Sequence, residues 1–111
     1  MSKRQVSDER EKRFIKIMNI AFEQKLIASP ETLVSVIAGE SVILNTKNEQ
    51  YYGLDEVGTG MWTKLTTSAS IQVAYEALLT EYEIDEDSLR KDLIELIEKL
   101  QAQGLVKVDE S

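Results

Sequence analysis

The chain has 111 residues, 42% of them hydrophobic and 30% charged, the proportions of one small globular domain with a single modest core. It contains neither His nor Cys, which excludes disulfides, the usual zinc sites, a Ser-His dyad and a Cys nucleophile. Its net charge of −7 is unevenly divided: residues 1–25 carry seven basic and four acidic side chains, the remainder six basic and sixteen acidic.

The first segment, "SDEREKRFIKIMNIAFEQKL", predicts a helix from Ser7, an N-cap residue type followed by Asp8 and Glu9, which suit the positive end of a helix dipole. Phe14, Ile17, Met18, Ala21 and Phe22 fall at helical spacing. Residues 1–28 therefore read as a basic amphipathic N-terminal extension whose stripe packs on the body or pairs with a second copy in a homodimer. Pro30, the single proline, separates it from a domain spanning residues 29–111.

Three short strand-like runs follow. "TLVSVI" (Thr32 to Ile37) is rich in β-branched residues, "SVILN" (Ser41 to Asn45) places Val42 and Leu44 on one face, and "EQYYGL" (Glu49 to Leu54) follows the polar turn "TKN". Connections this short predict an antiparallel three-stranded meander. Three helices come next. Asp55 caps the first, which presents Val57, Met61, Trp62 and Leu65 to the core; Gly58 and Gly60 inside it signal close packing against a neighbour. In the second, Ile71, Ala74, Tyr75, Leu78, Leu79 and Tyr82 form one face. The third starts at Asp85 with an Ile84–Leu89 staple and carries a Leu89, Leu93, Leu96, Leu100 stripe broadened by Ile94 and Ile97. It stops at Gly104, and "LVKV" closes the chain as an extended piece.

Strands followed by helices give an α+β fold, winged helix-turn-helix-like, with the hairpin as wing and the last two helices as the turn. That architecture raises a DNA-binding regulator as the alternative function. The charges speak against it, since between Ser70 and Gln103 three basic residues face nine acidic ones, and the turn that would enter a groove reads "DEDS". No glycine-rich phosphate loop is present, and no apolar run approaches the ~18 residues of a membrane span. No signal-peptide pattern opens the chain. The expectation is a cytoplasmic binding protein without catalytic residues, metal, cofactor, nucleic-acid partner or membrane partner. An open edge of the meander can accept an extended peptide as a further strand.

The run "GESVILNTKNEQYYGLDEVGTGMWTKL" (Gly39 to Leu65) and the later "EALLTEYEIDEDSLRKDLIELIEKLQAQGLV" resemble, in this order, the PqqD-like family. The likeness covers roughly Ser29 to Val108. The resemblance implies a recognition element for ribosomally made, modified peptides. Such an element binds the leader of a precursor peptide and presents it to a modifying enzyme, a radical-SAM enzyme or, in lasso-peptide systems, a leader peptidase. It further implies that the leader adds to the third strand, here Glu49, Gln50, Tyr51, Tyr52 and Gly53, and lies against the helix from Asp85 to Gln103. Alternation carries Tyr52 inward with Leu54 and leaves Tyr51 for the leader. Arg90, Ile94, Ile97 and Gln101 share one flank of the helix and are the expected peptide side; Asp92 and Lys99 lie on the other. The N-terminal extension departs from compact family members.

Overall fold

A computed structural model describes residues 20–109 of the chain. Five strands and three helices follow in the order β1 (Lys25–Ala28), β2 (Thr32–Ile37), β3 (Glu40–Asn45), β4 (Gln50–Leu54), α1 (Glu56–Thr67), α2 (Ile71–Glu81), α3 (Glu86–Ala102) and β5 (Val106–Asp109). β2, β3 and β4 form the expected antiparallel meander, in which Ile43 lies opposite Val34 and Tyr52. Because opposed residues share a face, Ser41, Ile43, Asn45, Tyr52 and Leu54 point inward. Leu33, Leu44, Tyr51, Val42 and Ile37 point to the outer surface.

The helices start and stop where short-range chemistry dictates. Asp55 accepts from the Gly58 amide at 2.8 Å, Ser70 from Val73 at 3.1 Å and Asp85 from Ser88 at 3.1 Å. At the far end of α3, Leu105 N donates to Leu100 O and Gly104 N to Gln101 O, with Gly104 at φ +72°. This double bond pattern is the Schellman stop that the sequence announces. The core joins Ile43 and Leu54 from the meander and Phe22, Leu26, Leu105 and Val106 from the two ends to the apolar faces of all three helices, including Trp62, Leu65, Leu78, Leu93 and Leu100. Gly60 lets α1 approach Tyr82, whose hydroxyl occupies the space a side chain there would need. Burial, with the nearby carboxylates of Glu81 and Glu56, pushes the Tyr82 phenol above its ordinary pKa.

Two expectations change. Val57, assigned to the core, is 42% exposed. Of the expected N-terminal helix, residues 1–19 lie outside the described residues, and the part that is described is not helical. Residues 20–24 form a turn, and Lys25–Ala28 form β1, paired antiparallel with β5. The physical reason is tertiary. The carbonyls of Gln24 and Phe22 accept the first two amides of α2, from Ile71 at 2.8 Å and Gln72 at 2.7 Å, which a helix end otherwise leaves unpaired. Leu26 is thereby fully buried and Phe22 meets Tyr75 edge-on at 5.7 Å.

Two predictions follow from these caps. Gly104→Ala forces a side chain into the left-handed region with Asn45 Nδ2 only 3.0 Å from the new carbon. It should cost about 1–2 kcal/mol in urea unfolding. Hydrogen bonds from the Ser88 side chain and backbone hold the Asp85 carboxyl below its ordinary pKa. A carboxylate depressed on folding stabilises above its unfolded pKa, and that stabilisation fades as pH falls through the folded value. Asp85→Ala should therefore flatten the acid limb of stability below pH ~4, a change visible in thermal melts.

Candidate functional site

β4 is an edge strand: among the described residues it pairs with β3 and with nothing on its other side. The two-residue loop Ala38–Gly39, with φ of 55° and 84°, makes the flanking pair Ile37–Glu40 a hydrogen-bonded one. Alternation then directs the main-chain groups of Ser41 and Ile43 toward β4. The N–H and C=O of Tyr51 and Gly53 are left facing the open edge.

Beside this edge lies a hollow of about 240 Å³ bordered by Tyr52, Val57, Met61 and Leu96, with Asp55, Asp92, Glu95 and Lys99 around it. Tyr52, Val57, Met61 and Leu96 give it apolar surface, and its polar lining holds three carboxylates against one ammonium. The wall comes from one flank of α3. In a helix, residues 92, 95, 96 and 99 recur at one side of the buried Leu89–Leu93–Leu100 stripe, and Tyr52 of β4 borders the hollow with them.

The hollow is held open from both ends. At one end the buried Asn45 side chain uses all four of its hydrogen-bonding positions. Nδ2 donates to Gln103 O at 3.2 Å and Gly104 O at 3.3 Å, while Oδ1 accepts from Lys47 N at 2.9 Å and Asn48 N at 3.4 Å. It thus ties the β3–β4 turn to the end of α3. At the other end Ser41 Oγ and Thr59 Oγ1 meet at 2.7 Å in a buried contact, joining β3 to α1.

The expected site residues divide between this hollow and other places. Gln50, Tyr51, Tyr52 and Gly53 are in β4, but Glu49 is the last turn residue, at φ 63°, where the chain reverses before the strand. Tyr52 is half-buried against the core, as alternation requires, and it is the tyrosine that borders the hollow. Tyr51, expected to face the groove, is 71% exposed on the outer face of the sheet. The expected flank of α3 is not brought to β4. Ile97 is fully buried and Ile94 packs on the core, while the Arg90 guanidinium lies 4.6 Å from the Phe22 ring centre and 4.9 Å from that of Tyr75. Gln101, half-buried, lies at the same side of the helix, outside the lining of the hollow. The reason is that two flanks border one core stripe symmetrically, and only the position of the sheet distinguishes them. The signal that sequence reading lacked was the turn leading into β1, because Phe22 there occupies the Arg90 side.

The Asn45 clasp carries a test. In Asn45→Asp, a carboxylate oxygen replaces the donating nitrogen and faces two carbonyls, so two bonds are lost and two repulsions are added. The substitution should cost about 2 kcal/mol or more at neutral pH. The new carboxyl would be held protonated in the fold, its pKa above that of the unfolded chain, so part of the loss should be recovered on acidification and return as pH rises. Urea midpoints at two pH values measure both effects.

The family model of coenzyme PQQ synthesis protein D (PqqD) matches residues 40–106, which span β3 through the start of β5 and contain every residue bordering the hollow. No curated protein matches the sequence. Among solved structures, TbiB1 in complex with the TbiA(beta) leader peptide superposes with a TM-score of 0.68 at 26% identity, over 73% of this chain and 94% of that one. A lasso peptide synthetase B1 complexed with the leader peptide gives a TM-score of 0.67 at 20% identity, over 75% of this chain and 98% of that one, a likeness of fold. With well over half of its length matched by that family model, the chain belongs to the PqqD family.

Proposed function

We propose that this protein is a non-catalytic recognition element that captures the leader of a ribosomally made precursor peptide as a strand added to β4. The observation that carries the reading is the unpaired edge of Tyr51 and Gly53 running beside a hollow walled by α3. Two solved structures of the same fold are complexes with leader peptides, which supports an extended peptide as the ligand. Main-chain bonds to Tyr51 and Gly53 would supply affinity, and alternate leader side chains would drop toward Tyr52, Met61 and Leu96. The carboxylates of Asp55, Asp92 and Glu95, with Lys99 alone against them, favour a leader segment carrying a basic side chain next to an apolar one. The enzyme served, a radical-SAM enzyme or a leader peptidase, would take the presented peptide, and the basic residues 1–19 offer it a docking segment of charge opposite to the acidic body.

On a winged helix-turn-helix reading, the β2–β3 hairpin would be the wing and α2 and α3 the turn. A DNA-binding role draws no support from it. The first turn of α3 exposes Asp85, Glu86 and Asp87, charges that repel phosphate.

Amide hydrogen exchange on the full chain, with and without a synthetic leader from a neighbouring precursor gene, tests the proposal. Tyr51 and Gly53 amides should become protected on binding, whereas Tyr52, already directed at β3, should change little. Glu95→Lys should weaken binding of a basic leader about tenfold, the size of one partly exposed charge contact reversed. Arg90→Ala should leave affinity unchanged. Protection that appears on α3 beside Arg90 and not on β4 would sink the site.

A further inference from the structure

The opposite edge of the meander exposes an apolar strand. β2, Thr32–Ile37, is the other edge strand: among the described residues it pairs with β3 alone, and no hollow walled by α3 borders it as one borders β4. Leu33, Val34, Val36 and Ile37 are 60%, 43%, 58% and 74% exposed, so both faces of the strand show apolar side chains to solvent. Proteins ordinarily guard such an edge with Lys, Pro, a bulge or an inward charge. "TLVSVI" has none of these.

The sequence of this edge is close to a palindrome. Around Ser35, Val34 mirrors Val36 and Leu33 mirrors Ile37. A two-fold axis normal to the sheet, passing through Ser35, sets two β2 strands antiparallel with their faces preserved. Leu33 then lies opposite Ile37 of the second copy on the outer face, and Val34 opposite Val36 on the inner face. The backbone agrees with the side chains. Since Ile37, Ser35 and Leu33 direct their main-chain groups at β3, those of Val34 and Val36 face the free edge, and this register brings them together as hydrogen-bonded pairs. Charges do not interfere, because no residue of Thr32–Ile37 is charged. An isologous dimer requires a patch complementary to itself, and the strand meets that requirement in side-chain pattern and in hydrogen bonding together.

We propose that β2 is the homodimer interface of this protein, joining two copies into a continuous six-stranded sheet with a β4 edge at each end. The surface is separate from the peptide edge, so the inference stands or falls independently of the leader reading. Each dimer would present two outward peptide edges about one axis, a geometry that lets one assembly hold two precursors or gain avidity for a two-copy enzyme.

The lack of cysteine makes the test clean. In the full chain, Ser35→Cys places two thiols across the axis at a non-hydrogen-bonded pair, where the Cα separation of about 4.5 Å suits a disulfide. Mild copper-catalysed oxidation should give a covalent dimer far faster than Thr67→Cys, whose exposed residue lies at the end of α1. Sedimentation of the unmodified chain should show a dimer at ~100 μM, a concentration that populates even micromolar complexes. Val36→Lys and, separately, Val34→Lys should each raise the dimer dissociation constant at least tenfold, with an unchanged circular dichroism spectrum because both side chains are exposed in the single copy. A chain that sediments as a monomer at that concentration overturns the proposal. So does a dimer indifferent to both lysines, or a Ser35→Cys protein that oxidises no faster than its Thr67→Cys control.

Discussion

The side-chain amide of Asn45 is the constraint on which the geometry of this domain turns. One planar group, buried among sheet, turn and helix end, is fully satisfied by two carbonyls of the α3 terminus and two amides of the β3–β4 turn. A buried amide with four partners is costly to move, because every displacement leaves a polar group without water or a substitute. The turn that launches β4 is therefore fixed to the point where α3 ends. Gly104, with no Cβ, lets that end come close to Asn45. The Ser41–Thr59 contact fixes the opposite end of the strand pair to α1. Between these two ties the open edge of β4 and the flank of α3 are held at one spacing. A cleft with rigid walls loses less entropy on taking up a peptide than one that must first assemble.

The two edges of the meander differ in what surrounds them, and this follows from how little sheet the helices can cover. α1 packs on β3 and β4 and fills the inner face there with Met61, Trp62 and Leu65. β2 extends past that cover, so its inward valines remain exposed. One edge thus borders a cleft lined by both apolar and charged side chains, suited to a chain of varied side chains. The other carries no charge within the strand and shows apolar side chains on both faces, suited to a copy of itself.

Much of the fold was legible because it is encoded locally. Asp55, Ser70, Asp85 and Gly104 act within one helical turn of themselves, and their caps form where the sequence places them. Period-two alternation in "SVILN" and "EQYYGL" carried Ile43 and Tyr52 inward and Tyr51 outward. The alternation could not say which side of β4 the hollow occupies, and Tyr52, not Tyr51, borders it. Residues 20–28 were misread because "FEQKLIA" continues a helical pattern. Their real partners, the amides of α2 and the strand β5, lie about fifty and eighty residues further along the chain.

By itself, then, the sequence determined the meander strands and the three helices after them, their caps, the order of the meander and the family, since each rests on short-range spacing or on an ordered pattern of residues. The tertiary structure alone decided which flank of α3 faces β4, where Val57 lies, that Phe22 in the turn before β1 packs against Arg90, and which strand edges stay open among the described residues. A helix with one apolar stripe offers two equivalent flanks. Only the docking of a distant segment, here Phe22 against Arg90 and Tyr75, makes them different.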